Sequence, residues 1–327
     1  ILRPPRSTLF PYTTLFRSVG IVSEEAVISN VTDSYSSEGG IHPREAADHH
    51  ASVIGRIMEK SLSEANICKN DIDLVAFSMG PGLGPCLRIV ASAARALSIN
   101  LNVPVIGVNH CVAHIEIGRF TTGAKDPVTL YVSGGNTQIL AYAEGKYRVF
   151  GETLDVGIGN MQDTFGREMG IGFPCGKQID ELSSLGRNYL QLPYTIKGMD
   201  FSFSGLLTES IKKLNTNSQE DVTYSLMETA YSLVVEASER AMSHTEKNEL
   251  LLTGGVASSK RLKEMCNTMC EERDAKLFVP SPALCRDNGA MIAYQGLLEH
   301  INGKRMKIED TIIKQKWRTD EVEVNWI

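Results

Sequence analysis

The chain contains one structural unit twice: a short apolar strand, a glycine-rich turn and a helix. The first copy is LVAFSMGPGLG at residues 74–84, and the second is ELLLTGGVAS at residues 249–258. Each copy follows a segment of alternating apolar and polar residues that is typical of a β-hairpin, at residues 19–35 and 128–142. An internal repeat of this kind predicts an α/β fold built from two duplicated halves.

The composition is that of a folded protein without membrane spans. Of the 327 residues, 42% are hydrophobic and 22% are charged, and both fractions are ordinary for globular domains. No apolar run reaches the roughly 18 residues that a spanning helix needs, and no secretory signal pattern opens the sequence. We therefore predict a cytoplasmic protein with no membrane contact.

Charge and cysteine usage restrict the partners further. A net charge of -6 argues against nucleic-acid binding through bulk electrostatics, because neutralising phosphates needs clustered Lys and Arg. An RNA substrate would therefore need basic partner subunits. The seven cysteines include no CxxC pair, which predicts reduced thiols. Cys266 and Cys270 lie four residues apart, and we interpret them as part of an apolar helix face.

The first 18 residues do not share the pattern of the rest. They give RSTLF and then TTLFRS around Pro11, and they contain no glycine for a phosphate-binding hairpin turn. We predict that residues 1–18 are foreign to the fold and leave an adjacent sheet edge unpaired. The remaining sequence is predicted to divide into a first half at 19–127, completed by about 296–327, and a second half at 128–295.

Three glycine-rich turns follow strands, at residues 80–84, 133–137 and 254–255. Such a turn lets backbone N–H groups approach an anion, while the helix N-terminus adds partial positive charge. A single turn of this kind also occurs simply to pack a helix on a sheet. Three of them, in two facing α/β halves, favour a nucleotide held in a shared cleft.

Eight segments together resemble one known family. They are GGIHPREAADHH, SMGPGLGPCLR, NHCVAHIEIGR, YVSGGNTQ, GETLDVGIGNMQDTFGRE, KGMDFSFSG, TGGVASSKRL and CRDNGAMIA. These segments are distributed over nearly all of residues 19–327 and are similar to the TsaD/Kae family of tRNA threonylcarbamoyltransferases, in its archaeal and eukaryotic branch. The resemblance implies an actin-like ATPase (ASKHA) fold, with two duplicated RNase H-like halves around a nucleotide cleft.

The same resemblance implies a reaction and a set of partners. A threonylcarbamoyl group would pass from threonylcarbamoyl-adenylate to N6 of adenosine 37 in tRNAs that read ANN codons. Members of this branch work in the KEOPS complex, so the implied partners are tRNA, an atypical small kinase, a Pcc-type dimerisation subunit and a Cgi-type subunit. An adenylate or ATP-type nucleotide would occupy the cleft.

A histidine pair is the candidate metal site. His110 and His114 lie four residues apart, so on a helix both imidazoles would point from one face, as in many metal sites. The same spacing is also found in surface or packed histidines. The resemblance implies that both bind a catalytic metal, with Asp287 as a third ligand and Tyr131 as a more loosely placed one. It favours Fe(2+), and N and O ligands of this kind leave Zn(2+) as the alternative.

The histidine spacing is not that of a metalloprotease. A zincin carries a Glu beside the first His, and that Glu activates the attacking water. Here the residues inside the pair are Cys111, Val112 and Ala113, and Glu116 lies outside it. The sequence therefore argues against a protease.

The resemblance also assigns the nucleotide contacts. The residues expected at the phosphates are Tyr131, Val132, Ser133, Gly134 and Gly135. Asp163, Gly176 and Asp180 are expected at the ribose and Ser259 at the adenosine, although both aspartates also fit solvated helix carboxylates. Asp180, Ser259 and Cys175 stand where the family usually has Glu, Asn and Gly. We therefore expect the contact through Ser259 to be weaker or water-mediated, and the side chain of Asp180 is one methylene shorter for a direct contact with the ribose.

Two other functions remain open. An ASKHA small-molecule kinase would share the glycine turns but has no need of HxxxH with a distant Asp. A nucleotide-gated, non-catalytic scaffold subunit fits the altered N-terminus, which also predicts a weak or inactive enzyme. Lys197 fits a surface lysine as well as a substrate contact, and we predict Phe201 and Phe203 to be core residues.

Overall fold

The computed structural model describes residues 8–9, 16–34 and 43–327, which form two compact units. The first unit holds the described residues up to Phe120 together with Arg286–Ile327, and the second holds Thr121–Cys285. The sequence pattern predicts residues 121–127 in the first half and residues 286–295 in the second. In the structure, residues 121–127 belong to the second unit and residues 286–295 to the first. Each unit has its own five-stranded sheet.

The strands, in chain order, are β1 (Thr8–Leu9), β2 (Phe16–Val22), β3 (Val27–Ser34), β4 (Leu74–Gly80), β5 (Val105–Asn109), β6 (Val128–Val132), β7 (Thr137–Ala143), β8 (Lys146–Glu152), β9 (Ile196–Lys197), β10 (Asp200–Phe201), β11 (Glu249–Thr253) and β12 (Lys276–Phe278). The helices are α1 (Pro43–Ala65), α2 (Gly84–Leu101), α3 (His110–Thr122), α4 (Ile158–Glu168), α5 (Gly176–Ser183), α6 (Ser204–Lys213), α7 (Gln219–Thr245), α8 (Lys260–Glu272), α9 (Pro282–Cys285) and α10 (Gly289–Ile301). Among the described residues, none of these helices combines the length and the apolar character that crossing a membrane requires.

The two sheets have the same strand order and the same strand directions. The order is β3-β2-β1-β4-β5 in the first unit and β8-β7-β6-β11-β12 in the second. The first three strands of each sheet are antiparallel, and the other two run parallel to the first hairpin strand. This correspondence confirms the duplicated α/β halves that the sequence predicts.

Strand β1 pairs on both sides, so the predicted unpaired sheet edge is wrong for the described residues. Thr8 lies opposite Val22 of β2 and Leu74 of β4, and Leu9 lies opposite Ile21 and Val75. Strand β2 also begins at Phe16, before the predicted start of the hairpin. Residues 10–15 lie outside the described residues, and the foreign origin of residues 1–18 stays a prediction.

Helix α1 spans Pro43–Ala65, and its apolar residues recur at helical spacing over this range. Pro43 fits the first turn because a helix has no partner there for the missing N–H. One face of the helix is buried and consists of Ala46, Ala47, His50, Val53, Ile57 and Ser61. This face packs on β2 and β3, which fixes α1 against the first sheet.

The core of the second unit is built around α7, a helix of 27 residues. Cys266 and Cys270 are both buried on α8, as predicted for an apolar helix face. Phe201 and Phe203 are buried in the same core, which confirms the prediction. Phe203, however, precedes α6 and does not continue β10.

The first glycine-rich turn, at residues 80–84, packs against a segment near the end of the chain. A Cβ on Gly80 would lie 1.8 Å from the carbonyl oxygen of Lys314, and one on Gly84 would lie 2.5 Å from the side chain of Gln315. The N–H of Gly82 donates to the carbonyl of Gln315 at 3.2 Å. The glycines of this turn therefore make room for residues 314–315, and its phosphate role stays a prediction.

Candidate functional site

Helix α3 carries both histidines of the predicted metal pair. It begins at His110, directly after β5. Asn109 caps it, because its side-chain oxygen accepts hydrogen bonds from the N–H groups of Cys111 at 2.9 Å and Val112 at 3.2 Å. His110 and His114 therefore lie one helical turn apart on one face, as the spacing predicts.

Both imidazoles face the carboxylate of Asp287. The Nε2 atoms of His110 and His114 lie 3.3 Å and 3.0 Å from the same oxygen, Oδ1 of Asp287. The two rings meet edge to face, with centroids 4.9 Å apart. The three possible ligand atoms lie within 4.8 Å of one another. The structure thus brings together the three residues that the resemblance implies, all of them in the first unit.

The position of Asp287 is set by the start of α10. Asn288 caps this helix by accepting the N–H of Met291 at 2.9 Å, and its amide group donates to the carbonyl of Arg286 at 2.8 Å. Gly289 lies directly on β2, since a Cβ there would be 2.3 Å from the backbone nitrogen of Gly20. The cap and the close approach fix the backbone on both sides of Asp287.

Burial and charge favour a neutral imidazole beside an ionised carboxylate. Burial lowers the pKa of the His114 imidazole, and it outweighs the hydrogen bond to Asp287, which raises that pKa. Burial alone would raise the pKa of the Asp287 carboxyl, but the charge and hydrogen bonds of the two histidines together hold it below its usual range. Two imidazoles and one carboxylate are a ligand set that Fe(2+) and Zn(2+) both accept.

A buried carboxylate lies two residues after His114 on α3, and the sequence gives no sign of its partners. Glu116 is buried and accepts hydrogen bonds from Arg119 at 2.9 Å and from the indole N–H of Trp326 at 2.8 Å. Its carboxylate is therefore held by two donors, which agrees with the argument against a protease base. Trp326 is not signalled by any local pattern, because it reaches α3 from 210 residues away.

The second glycine-rich turn links β6 to β7 in the second unit. Tyr131 and Val132 are buried at the end of β6. The backbone N–H of Ser133 donates to the carbonyl of Asn136 at 2.8 Å, which closes the turn. Gly135 lies exposed at its tip, and a Cβ there would meet nothing within 4 Å.

The start of α4 packs against this turn. The N–H groups of Gly159 and Asn160 donate to the carbonyls of Ser133 at 3.2 Å and Gly134 at 2.9 Å. A Cβ on Gly159 would lie 2.8 Å from the Cα of Gly134. The third turn adds Gly254, whose φ of +100° suits glycine alone and whose Cβ would lie 2.2 Å from the carbonyl oxygen of Val132. These contacts hold the backbone of the turn at 133–136 in one shape.

Asp163 and Gly176 lie where α4 meets α5. The carboxylate of Asp163 accepts the N–H of Cys175 at 2.9 Å, directly before α5 begins at Gly176. Burial raises the pKa of Asp163, although the hydrogen bond from Cys175 lowers it. The Cys175 side chain fits because residue 166 is glycine: a Cβ there would lie 2.6 Å from the sulfur.

Asp180 and Ser259 share a buried polar network with two residues that the sequence analysis did not single out. The hydroxyl of Tyr231 donates to Oδ1 of Asp180 at 3.2 Å and accepts from the amide of Gln162 at 3.3 Å. The Ser259 hydroxyl lies close enough to Asp180 to lower the pKa of that carboxyl, and it caps α8 through the N–H of Leu262. Nothing in the sequence indicates that Tyr231 and Gln162 belong to the site, because both resemble ordinary helix residues.

The remaining predicted site residues are not joined to the histidines within one unit. Tyr131 belongs to the second unit, so its role as a fourth ligand stays a prediction. Lys197 is exposed on β9, in a two-stranded sheet with β10. The first unit therefore carries the three metal-type donors, and the second carries the turn at 133–136 and the network around Tyr231.

Comparison with protein families gives one match over most of the chain. The model described as "TsaD: tRNA N6-adenosine threonylcarbamoyltransferase" matches residues 25–294. A tRNA N6-adenosine threonylcarbamoyltransferase of Thermococcus kodakarensis is 58% identical over 311 residues, which cover 94% of this chain and 95% of that protein. The predicted site residues, which run from His110 to Asp287, all lie within the matched residues 25–294.

A longer relative and a solved structure complete the comparison. A Methanosarcina acetivorans protein named "Probable bifunctional tRNA threonylcarbamoyladenosine biosynthesis protein" is 53% identical over 314 residues, which cover 95% of this chain and 57% of that protein. The crystal structure of T. kodakarensis HypF superposes with a TM-score of 0.67 at 13% identity, covering 94% of this chain and 50% of that one. At this identity the similarity concerns the fold alone, which is the predicted actin-like α/β fold.

Proposed function

Because the chain belongs to the TsaD family of tRNA N6-adenosine threonylcarbamoyltransferases, we propose that it transfers a threonylcarbamoyl group from threonylcarbamoyl-adenylate to N6 of adenosine 37 in tRNAs that read ANN codons. The observation that carries the proposal is the convergence of His110, His114 and Asp287 in a chain that relatives of this name match almost throughout. The adenine amino group is a weak nucleophile, because its lone pair is delocalised. The protein must therefore supply positioning and electrostatic activation of the carbonyl.

The proposal includes one divalent metal, Fe(2+) in preference to Zn(2+), held by His110, His114 and Asp287, with Tyr131 as a further ligand. The fit is supported by two imidazoles and one carboxylate whose donor atoms lie within 4.8 Å of one another. When bound, such an ion supplies a Lewis acid and a template for the substrate. The residues of the chain hold the donors in place: Asn109 fixes the start of α3, and Asn288 fixes the start of α10.

The second unit would bind the adenylate. The turn at 133–136 would hold the phosphates, because Gly135 leaves open space at its tip and the carbonyls of the turn are already bonded to α4. Asp163, Gly176 and Asp180 would line the ribose, and Ser259 would face the adenosine. The support is that the carboxylates of Asp163 and Asp180 are each held in place by a hydrogen bond.

The tRNA substrate and the other subunits also belong to the proposal. A chain with a net charge of -6 is a poor ligand for RNA phosphates. We therefore propose that it acts in a KEOPS-type complex in which a small atypical kinase, a Pcc-type subunit and a Cgi-type subunit contribute to holding the tRNA. The bifunctional name of the longer relative supports an association with a second biosynthetic module.

A transferase would use both the three metal-type donors of the first unit and the nucleotide-binding residues of the second. The alternative functions would not use both. A small-molecule kinase would use the turns of the second unit but not the three donors of the first. A nucleotide-gated scaffold would have no use for them either. A protease would need a free general base, and Glu116 is bound to Arg119 and Trp326.

The test is a transfer assay. The purified chain is mixed with its partner subunits, threonylcarbamoyl-adenylate and an ANN-decoding tRNA, and the digested nucleosides are analysed by mass spectrometry. We expect threonylcarbamoyladenosine to appear only when the chain is present. Adenylate binding without product in a single-turnover reaction would instead identify a scaffold.

A further inference from the structure

Tyr231 connects the proposed ribose side of the nucleotide site to the core of the second unit. The side chain is completely buried on α7. Its hydroxyl donates to Asp180 on α5 and accepts from Gln162 on α4. Ser259, the residue that caps α8, is close enough to influence the pKa of this phenol. One hydroxyl group therefore joins three helices, α4, α5 and α7, beside the start of α8.

The choice of a carboxylate as acceptor is not explained by packing. A buried phenol needs one hydrogen-bond acceptor, and a neutral amide or hydroxyl would satisfy it. Taking a carboxylate out of water is costly, and burial does raise the pKa of Asp180. Asp180 is only half-buried, unlike Tyr231. The arrangement therefore keeps a charged acceptor in a fixed orientation while part of it stays open to a ligand.

The orientation matters more because the side chains are short. Asp180 and Ser259 both have short side chains with little reach. A short side chain has fewer rotamers with which to adapt to a ligand. Its contact therefore depends on the residue that fixes it: the hydroxyl of Tyr231 donates to Asp180, and Ser259 lies close to both.

We propose that Tyr231 is a positioning residue: its hydroxyl holds Asp180 and Ser259 in one orientation, so that Asp180 accepts a hydrogen bond from a ribose hydroxyl of the bound nucleotide. The inference rests on the proposed nucleotide site. It adds a residue to that site which does not itself touch the nucleotide. It also explains how two shorter side chains serve there together.

The experiment compares ATP with 2′,3′-dideoxy-ATP, which lacks both ribose hydroxyls. Affinities are measured by calorimetry for the parent chain, Tyr231→Phe, Asp180→Asn and the double variant. Tyr147→Phe is the matched control, because Tyr147 is also buried in the second unit but lies on β8. The far-UV spectrum and the urea midpoint of each variant show that it is folded.

We expect the parent to bind ATP about tenfold more tightly than dideoxy-ATP, the value of one hydrogen bond to a charged group. Tyr231→Phe should lose most of this discrimination by weakening ATP binding alone. Asp180→Asn should lose it as well, and the double variant should lose no more than either single variant. Tyr147→Phe should discriminate like the parent.

Each of the following results would overturn the inference. If Tyr231→Phe weakens both nucleotides equally, the hydroxyl serves only the packing of the fold. If Tyr231→Phe discriminates as well as the parent, Asp180 does not need it. A parent that binds ATP without discrimination would remove the ribose contact and this inference, yet leave the transfer reaction intact. A parent that binds neither nucleotide would contradict the proposed nucleotide site itself.

Discussion

His114 and Asp287 are 173 positions apart in the chain, yet Nε2 of the histidine lies 3.0 Å from Oδ1 of the aspartate. Each of the two belongs to a segment whose helix is capped by an asparagine: Asn109 caps α3, which carries His114, and Asn288, next to Asp287, caps α10. Helix α10 packs on β2, β4 and β5, and α3 follows β5 directly. The site is thus fixed by backbone packing within one unit, which leads to predictions that can be tested separately.

Removing the charge of Asp287 should remove the metal. Asp287→Asn keeps the size of the side chain but replaces the anionic oxygen between the two imidazoles with a neutral one. We expect the affinity for Fe(2+) or Zn(2+) to fall by more than the about 10–100-fold that loss of an outer-shell partner costs. Metal content after loading and gel filtration is the measurement. Asp320→Asn is the control, because this carboxylate pairs with Arg318 at the surface, and it should retain the parent metal content.

The contact between Gly20 and Gly289 should be sensitive to one methyl group. Gly289→Ala would put a Cβ 2.3 Å from the backbone of β2, so α10 would have to move. We expect a loss of about 1–3 kcal/mol in the free energy of unfolding, measured by urea titration, together with weaker metal binding. Gly55→Ala is the control: it lies in α1 with nothing within 4 Å, and it should stabilise the protein by about 0.5–1 kcal/mol. Equal effects of the two changes would contradict the close packing.

The tip of the turn at 133–136 should tolerate a side chain until a nucleotide binds. Gly135→Val meets open space in the fold, so we expect the ligand-free melting temperature to change little. The branched side chain would occupy the space proposed for phosphate, and ATP affinity should fall sharply in calorimetry. Gly205→Val, also in open space but on α6, serves as the control. Unchanged ATP affinity in Gly135→Val would remove this turn from the site.

Asp163 should give stability a dependence on pH. Burial raises its pKa above the ordinary value of 3.8, so the folded chain binds the proton more tightly than the unfolded chain does. The contribution of this carboxyl to the free energy of unfolding therefore falls as the pH rises from the ordinary pKa of 3.8 through the raised pKa of the folded chain. Asp163→Asn retains an acceptor for the N–H of Cys175 and should unfold at a higher urea concentration than the parent at pH 7. The advantage should vanish well below the ordinary pKa of 3.8, where the carboxyl is protonated in both the folded and the unfolded chain. An advantage that persists there would mean that the charge is not its cause.

Much of the fold could be predicted from the sequence, because it depends on local pattern. The bounds of α1 and β11 match the apolar spacing of their residues. The duplicated sheet order follows from the repeated strand, turn and helix. Placing His110 and His114 on one helix face likewise needs nothing but their spacing.

The rest could not be predicted, since it depends on contacts between distant segments. The glycines at 80–84 and those at 254–255 look alike in sequence, but the first group packs on Lys314 and Gln315. Spacing gives no hint that Asp287 reaches His114, and that residue was implied by the family resemblance alone. Tyr231 lies in a helix that reads as core, so its bond to Asp180 becomes visible only in the folded chain.

The most direct test counts threonylcarbamoyladenosine formed per tRNA by the parent and by a variant carrying both His110→Ala and His114→Ala, each with the same partner subunits and threonylcarbamoyl-adenylate. ATP affinity and the urea midpoint, measured on the same samples, establish that the second unit is intact. We expect the parent to modify the tRNA and the double variant to form no product while it still binds ATP. Modification by the double variant at near the parent rate would contradict a catalytic metal at these residues.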